Sequence, residues 1–470
     1  MQKTLIQLHE EIKSGTLTIE ALIESCKKTI NEKDPEIHAL LGMYSDTLVD
    51  SQITKAKEMF ANGTATTLTG IPIVLKDNIL VKGEVATGGS KILEHYVATY
   101  DATVVKKLKE AGAILLGRAN LDEFAMGGST ENSAYGPTKN PRDITKVAGG
   151  SSGGSAAIVA YGGVPVSLGS DTGGSIRQPA SFCGLVGLKT TYGNVSRYGL
   201  MAMGSSLDQI GPFANSVEDV EEVYTLISGN DLHDSTSLTV AVRNKERGVL
   251  KKVIGVPRSF VTQKGVDKEV LDNFNESLQK LEGVGYTIKD ITISHLEKAL
   301  SVYYVLMFAE VSSNLARYDG IRYGLSHPGE TSIRSYFESR TNGFGKEVRR
   351  RILLGTYVLS SGYYDAYYNK ANLVRSMLKK EFERVFKEVD IIATPTSPVS
   401  AFTLGEKSHD PLSMYLADIF TVPVNIIGVP AISVPSGKTS SGLPLGMQFI
   451  APHMREDLLF TYGRELERLY

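Results

Sequence analysis

Three segments of the sequence combine serine or lysine with glycine in a way that could support nucleophilic catalysis. They are GIPIVLKDN at 70–78, GGSSGGS at 149–155 and GSDTGGSIR at 169–177. A serine hydroxyl attacks a carbonyl only if a neighbouring group accepts its proton, and a lysine can do so only in its neutral form. Singly, the segments are typical of a solvated strand end and of Gly/Ser turns. Together they make Lys76, Ser151 and Ser175 candidate catalytic residues.

The combination of the three segments resembles the signature sequence of the amidase signature family. The resemblance implies that Ser175 attacks an amide carbonyl, that Ser151 relays the proton and that Lys76 is the final base. It also implies a cis peptide bond between Gly150 and Ser151. The implied oxyanion hole consists of four backbone N–H groups, those of Thr172, Gly173, Gly174 and Ser175. On this interpretation the chain is an amidohydrolase.

Lys76 can act as a base only if its pKa is strongly lowered. With an unperturbed pKa of about 10.4, a lysine is neutral in roughly 0.04% of molecules near pH 7, which corresponds to about 4.6 kcal/mol against the reactive form. Burial lowers the pKa of lysine because desolvation disfavours the ammonium. Lys76 directly follows the apolar run 71–75, so we expect its side chain to be buried.

Further segments narrow the resemblance to one branch of the family, the glutaminase subunits of tRNA-dependent amidotransferases. They are LDEFAMG at 121–127, STENSA at 129–134, LARYDG at 315–320, and LGT at 354–356 with SSGYY at 360–364. In that branch, glutamine is hydrolysed to glutamate and ammonia. A partner, the B subunit, uses ATP and Mg²⁺ to convert Glu-tRNA(Gln) to Gln-tRNA(Gln) with this ammonia, and the pair is braced by a small C subunit. The resemblance therefore implies a heterotrimer of protein biosynthesis, contact with the mischarged tRNA through the B subunit, and no cofactor in this chain.

Free glutamine carries an α-ammonium and an α-carboxylate, so a selective pocket needs one charge of each sign. The resemblance places Arg351 against the carboxylate and Asp418 against the ammonium, where charge-assisted hydrogen bonds orient the substrate. Without it, both residues are typical of solvated helix faces. The implied substrate contacts also include Tyr303, Gly127 and Ser129, although the sequence does not distinguish Tyr303 from its neighbour Tyr304.

The elements around these segments predict an α/β fold. From residue 71 onward, short apolar runs alternate with helical patterns, as in 104–111 followed by 113–117. We expect helices over about 1–60, a signature core over about 60–220, and a helical and C-terminal remainder over about 221–470, which opens on a polar stretch at 228–246. The expected whole is a single amidase domain, 1–470, with the amidase signature fold: a central mixed β-sheet surrounded by helices.

The composition excludes several other classes of protein. A formal net charge of -2 gives no basic surface for DNA or RNA, so any RNA contact must be local or made by a partner. The N-terminus has no apolar core of a signal peptide, and we expect no membrane-spanning stretch. Cys26 and Cys183 lie outside any metal-binding or redox motif, which predicts reduced thiols, no metal site and a cytoplasmic location.

The sequence allows three other interpretations. Residues 149–153 satisfy G-x-S-x-G, the nucleophile elbow of α/β-hydrolases, but residues 143–148 make a poor preceding strand and the other two segments stay unexplained. A phosphate-binding loop ending at Gly437-Lys438-Thr439 lacks its first glycine, because Ile432 stands there. Within the family, the alternative is a stand-alone amidase that acts on another amide.

The sequence also allows a cysteine hydrolase built on Cys183 and one of the eight histidines. We expect Cys183→Ala to keep amide hydrolysis within about twofold of the wild type, because a thiol in apolar surroundings stays protonated and inert. The measurement is kcat/KM together with the thermal unfolding temperature. A large loss of activity in a variant that unfolds at the wild-type temperature would support the cysteine mechanism.

Overall fold

The computed structural model describes residues 3–239, 250–408 and 410–470. Within these ranges the centre of the molecule is an eleven-stranded β-sheet. Helices pack on this sheet, so the predicted α/β class is confirmed. Residues 240–246 of the polar stretch noted in the sequence lie outside the described ranges.

The strands, in chain order, are β1 (Leu40–Met43), β2 (Pro72–Lys76), β3 (Ile114–Ala119), β4 (Lys139–Asn140), β5 (Asp143–Val147), β6 (Val166–Asp171), β7 (Val186–Lys189), β8 (Gln209–Ala214), β9 (Val253–Val256), β10 (Thr287–Asp290), β11 (Ile391–Pro395), β12 (Ala431–Lys438) and β13 (Pro444–Ile450). Their order in the central sheet is β1-β3-β2-β6-β8-β7-β12-β13-β11-β9-β10. β2 is parallel to both β3 and β6, and β9 is parallel to both β10 and β11. The remaining pairs are antiparallel, which confirms the predicted mixed sheet.

The helices are α1 (Leu5–Lys13), α2 (Ile19–Ile37), α3 (Asp46–Ala61), α4 (Thr103–Glu110), α5 (Gly153–Ala160), α6 (Arg177–Cys183), α7 (Val217–Ile227), α8 (Arg258–Val261), α9 (Lys268–Gly283), α10 (Ala299–Asn314), α11 (Ser332–Gly343), α12 (Lys346–Leu359), α13 (Lys370–Val385), α14 (Pro411–Leu416), α15 (Val422–Ile427) and α16 (Glu456–Arg468). α5 and α6 begin at the ends of the second and third Gly/Ser segments. Both are short and almost wholly buried, because they lie inside the fold rather than on its surface.

β2 lies in the interior of the sheet, and this position explains its sequence. All five of its residues are buried, since a strand between two parallel neighbours is covered on both faces and needs a continuous apolar run. Lys76, the last residue of β2, therefore lies in the interior of the protein at the carboxyl end of the strand.

Two local expectations need correction. The N-terminal region is helical as predicted, but it also contributes strand β1, which pairs with β3. Residues 143–147 do form a strand, β5, although their polar composition argues against one. β5 pairs with β4 in a separate two-stranded sheet, so it does not supply the central strand that a nucleophile elbow requires.

One helical stretch of the described residues, Leu296–Arg317, is long and apolar enough by composition alone to cross a membrane. Half of its apolar window is buried inside the protein. Its central part, α10, packs against α12, α13 and α15, which is the environment of a core helix.

The strands of the central sheet come from residues 40 to 450 of the chain. The assignment of one domain to residues 1–470 stays a prediction.

Candidate active site

Lys76 is surrounded by serine hydroxyls at the end of β2. Its side chain is fully buried, and Nζ lies 2.8 Å from Ser151 Oγ, 2.8 Å from Ser152 Oγ and 2.9 Å from Ser170 Oγ. Burial lowers the pKa of Lys76 to about 7, and three nearby aspartates only partly oppose this shift. The burial expected from the sequence is confirmed, and a large fraction of the amine is neutral near pH 7.

The other two hydroxyls define which serine can give its proton to Lys76. Ser152 Oγ donates to the Ser170 carbonyl oxygen at 3.0 Å and accepts from the Ser170 N–H at 3.3 Å. Ser170 Oγ accepts from Asn78 Nδ2 at 3.0 Å. A neutral amine has two protons and one lone pair. Because the Ser152 proton is already directed to a carbonyl, the hydroxyls that can turn a proton to the lone pair of Lys76 are those of Ser151 and Ser170.

Ser151 is held by its backbone on both sides. The peptide bond between Gly150 and Ser151 is cis, as the resemblance implies. The Gly150 N–H donates to Gln178 Oε1 at 2.9 Å, and the Ser151 carbonyl accepts from the Asp122 N–H at 3.2 Å. A Cβ on Gly150 would lie 2.3 Å from Asp122 Oδ2, so this position has room only for glycine.

Ser175 lies two residues before α6 and keeps 8% of its surface exposed. The Ser152 N–H donates to its carbonyl at 3.3 Å, which joins the second and third Gly/Ser segments directly. Among the hydrogen bonds of the described ranges, none connects the hydroxyls of Ser151 and Ser175. Such contacts between nucleophile and base are commonly loose until substrate is bound.

A buried ion pair that sequence reasoning missed shapes the loop around Ser175. Arg177 donates to both carboxylate oxygens of Asp171, at 2.9 and 3.0 Å. The same carboxylate accepts the N–H groups of Gly174 at 2.8 Å and Ile176 at 3.1 Å. The available signal is the two opposite charges in an otherwise Gly/Ser segment, on either side of the predicted nucleophile.

The predicted oxyanion hole is corrected at one position. The Gly174 N–H is already donated to Asp171, so it is not available to a substrate oxygen. Over the described ranges, the N–H groups of Thr172, Gly173 and Ser175 make no hydrogen bond within the protein. Gly174 is glycine for another reason: its φ is 134°, and a Cβ would lie 2.3 Å from Thr421 Oγ1.

Arg351 and Asp418 lie on either side of an aromatic cluster. Arg351 is buried, its Nε donates to Glu347 Oε1 at 2.8 Å, and its guanidinium lies 5.7 Å from the centre of the Tyr415 ring. Tyr304 Oη donates to Asp418 Oδ2 at 3.3 Å. Loss of solvent around the Asp418 carboxylate raises its pKa to about 7, although the Arg351 cation opposes this shift.

Tyr303 and Tyr304, which the sequence does not distinguish, contact different parts of the site. Tyr303 lies directly against the loop before Ser175, where a Cβ on Gly173 would be 2.5 Å from Tyr303 Oη. Tyr304 contacts Asp418 and stacks on Tyr415, with ring centres 4.1 Å apart. Tyr303 is therefore the one beside the predicted oxyanion hole, and Tyr304 is the one that binds Asp418.

Gly127, Ser129 and Arg351 line one cavity of about 110 Å³. Ser129 Oγ is buried without a hydrogen-bond partner among the described residues, so it is free to bind a ligand. Glu347 and Tyr415, which sequence reasoning missed, share this lining, whereas Asp418 is not among the described residues that line it. Within the described ranges, no group of three or more His, Cys, Asp or Glu side chains is placed to hold a metal ion.

A buried lysine surrounded by serine hydroxyls, at the carboxyl ends of the interior strands β2 and β6 of a mixed sheet, is the arrangement of a serine amidohydrolase. The amidase family model matches residues 21–460. The A subunit of the glutamyl-tRNA(Gln) amidotransferase of Thermoanaerobacter pseudethanolicus is 50% identical over 99% of this chain and 96% of its own length. That of Syntrophus aciditrophicus is 47% identical, over 99% and 97%. The crystal structure of the corresponding Thermotoga maritima protein superposes with a TM-score of 0.81 at 42% identity, covering 99% of this chain and 94% of that one. The chain belongs to the amidase family.

The position of Lys76 predicts a specific response to mutation and pH. Lys76→Ala should lower amide hydrolysis by several orders of magnitude, and Lys76→Arg should not restore it, because a guanidinium stays protonated. Protonation inactivates the base, so kcat/KM of the wild type should fall as the pH drops below about 7. The measurement is a pH profile of initial rates.

Lys189 supplies the control for that profile, because burial lowers its pKa to about 7 as well. Lys189→Gln should keep the same limb in the profile. An active Lys76→Arg variant, or a limb that disappears in Lys189→Gln, would contradict the assignment of Lys76 as the base.

Proposed function

We propose that this chain is the glutamine-hydrolysing subunit of a glutamyl-tRNA(Gln) amidotransferase. It releases ammonia from glutamine, and a partner subunit uses the ammonia to convert Glu-tRNA(Gln) to Gln-tRNA(Gln) in a reaction that consumes ATP. The observation that carries the proposal is a serine amidohydrolase centre beside one cationic and one acidic side chain, Arg351 and Asp418. The full-length similarity to amidotransferase A subunits supports it.

The names of those relatives describe one part of a larger enzyme. We extend the proposal accordingly to a cytoplasmic heterotrimer that includes a B and a C subunit. In this assembly the mischarged tRNA is bound by the B subunit, which uses ATP and Mg²⁺, and this chain needs no cofactor of its own. The formal net charge of -2 supports a division of labour in which the tRNA is bound elsewhere.

The proposed reaction follows from the arrangement of the protons. Ser175 Oγ attacks the side-chain amide of glutamine, its proton passes to Ser151, and Ser151 gives its own proton to neutral Lys76. The developing oxyanion accepts hydrogen bonds from the backbone N–H groups of residues 172, 173 and 175. Each such donor stabilises the transition state by roughly 3 kcal/mol in comparable sites. The proton then returns from Lys76 through Ser151 to the leaving nitrogen, which departs as ammonia. Water, activated by the same relay, hydrolyses the glutamyl ester on Ser175.

The charges beside the catalytic centre favour glutamine over a neutral amide. Arg351 is buried, and Asp418 has a raised pKa because little water surrounds it. An ammonium placed next to Asp418 favours its ionised form, and a carboxylate placed next to Arg351 can share the guanidinium with Glu347. A neutral amide offers neither contact. A stand-alone amidase for uncharged amides would keep these groups without using them.

Ser175→Ala tests the nucleophile and the division of labour together. We expect glutamine hydrolysis to be lost, whereas amidation of Glu-tRNA(Gln) by the assembled complex with added ammonium should persist, because the partner does that chemistry. The control is Ser181→Ala, which changes another buried serine of the same region, in α6. Loss of both activities in an intact complex would contradict the assignment. Wild-type hydrolysis of aryl or fatty amides with glutamine inert would support the stand-alone amidase instead.

Arg351→Ala and Asp418→Ala test the recognition of glutamine. Removal of either partner leaves one charge of the substrate unpaired, a loss of roughly 2 to 5 kcal/mol in kcat/KM for glutamine. Propionamide, which carries neither charge, should be a poor substrate of the wild type and should lose little in either variant. Arg349→Ala, in the exposed part of the same arginine run, is the matched control. Equal losses for both substrates would show that these residues support the fold rather than the substrate.

A further inference from the structure

Glu123 is a buried acid that the proposed reaction does not use. Only 2% of its surface is exposed, and it lies one residue after Asp122. Its carboxylate accepts the Gly345 N–H on Oε2 at 2.8 Å and the Ser90 hydroxyl on Oε1. Burial raises the pKa of Glu123 to about 7 although both hydrogen bonds oppose the shift. These partners tie the signature core to a segment 222 residues further along the chain.

Gly345 is the N-cap residue of α12 and has no side chain with which to cap the helix. In a capping box, an acid at the third helical position reaches back to the N–H of the N-cap residue. That position in α12 is Val348, which cannot do so, and Glu123 supplies the carboxylate instead. A negative charge at the N-terminus of α12 is also stabilised by the positive end of the helix dipole. A Cβ on Gly345 would lie 2.4 Å from Glu123 Oε2, so the close contact depends on glycine.

Ser90 extends this contact to the preceding helix. Its hydroxyl donates to Glu123 and also lies 3.2 Å from the carbonyl oxygen of Gly343, the last residue of α11. The ring of Phe344 packs edge-on against Phe124, with centres 5.8 Å apart. Glu123 and its surroundings therefore hold the whole turn between α11 and α12.

The helix that Glu123 caps also carries the cationic side of the glutamine pocket. Arg351 lies six residues after Gly345, about 9 Å along the helix axis. Its partner Glu347 is in the first turn of α12 and accepts the hydroxyl of Tyr415 at 3.0 Å. Because a helix moves as a rigid body over this distance, displacement of its N-terminus displaces Arg351.

The residue before Glu123 is connected to the catalytic side. The Asp122 carboxylate accepts the N–H of Thr130 at 2.9 Å and that of Asn132 at 3.1 Å, while its own N–H binds the Ser151 carbonyl. The next two residues, Phe124 and Ala125, have left-handed φ values of 49° and 63°. The adjacent residues Asp122 and Glu123 therefore make contacts in opposite directions from one turn. Asp122 binds the backbone near Ser151, and Glu123 binds the N-terminus of α12.

We propose that Glu123 is a positioning residue for glutamine: by capping α12 it sets the distance between Arg351 and the Ser151–Ser175 centre. This inference rests on the proposed function, since it gives Arg351 the role of binding the α-carboxylate of the substrate.

The test compares Glu123→Gln, Glu123→Ala and Ser90→Ala with the wild type on glutamine and on propionamide. Glu123→Gln keeps the size of the side chain and removes the charge. KM for glutamine should rise about tenfold in Glu123→Ala, on the scale of a lost charge-assisted hydrogen bond, and less in the other two variants. Propionamide turnover should change far less, because it does not use Arg351. Glu94→Gln, an exposed acid near Ser90, is the matched control and should match the wild type.

A double variant separates this inference from the proposed function. In an Arg351→Ala background, Glu123→Gln should produce no further loss on glutamine, because the group that it positions is gone. If Arg351→Ala alone does not affect the preference for glutamine, the proposed recognition fails. If Arg351→Ala is specific for glutamine but Glu123→Gln harms both substrates equally, or adds its full effect in the double variant, the positioning role is overturned. Should Glu123→Ala fail to fold, Glu123→Gln and Ser90→Ala decide the question.

Discussion

The buried ion pair between Asp171 and Arg177 is the interaction on which the rest of the site depends. Both side chains are fully buried. Burial alone would raise the pKa of Asp171, but the Arg177 guanidinium holds it well below the usual range. Removing each ion from water costs several kcal/mol, which is recovered only where the remaining hydrogen-bonding groups are satisfied. Here Arg177 also donates to Gln448 and Asn425, so its charge is bound on several sides.

This ion pair attaches the loop that carries the predicted nucleophile, Ser175, to the segment that contains Asp418. Arg177 donates to the Thr421 carbonyl at 3.0 Å, and Thr421 Oγ1 donates to the Gly173 carbonyl at 2.6 Å. The Thr421 N–H in turn binds the carbonyl of Asp418 at 3.0 Å. A continuous set of hydrogen bonds therefore joins Asp171, the loop at residues 172–175 and Asp418. The α12 side is held by contacts to the segment around Asp122. It is also joined to the Asp418 side, because Tyr415 donates to Glu347 of α12 and stacks on Tyr304, which donates to Asp418.

The sequence predicts the local features of this architecture and misses those that depend on distant contacts. The apolar run before Lys76 is sufficient to predict its burial, and the alternation of elements is sufficient to predict an α/β sheet.

Arg351, by contrast, is typical of a solvated residue because it ends a run of three arginines. Its helical period is a usable signal, since Val348, Arg351, Gly355 and Val358 form the buried face of α12. The role of Arg177 has no such local signal, because its partners Thr421 and Gln448 lie 244 and 271 residues away. The prediction of Gly174 as an oxyanion donor is wrong for a related reason, as only the folded loop shows its N–H directed at Asp171.

A lowered lysine pKa does not by itself identify the base, as comparison of the two buried lysines shows. Burial brings the pKa of both Lys76 and Lys189 to about 7. The described hydrogen bond of Lys189 goes to the backbone carbonyl of Thr190, at 2.7 Å. A carbonyl has no proton to give, so neutral Lys189 has nothing to accept from it. Lys76 instead faces three hydroxyls, and among their described hydrogen bonds only that of Ser152 commits a proton elsewhere, to the Ser170 carbonyl. Proton transfer to a lysine therefore requires a neighbouring group that accepts a hydrogen bond from the charged lysine and donates one to the neutral lysine. A serine hydroxyl can do both, and the segments at 149–155 and 169–177 provide such hydroxyls at Lys76.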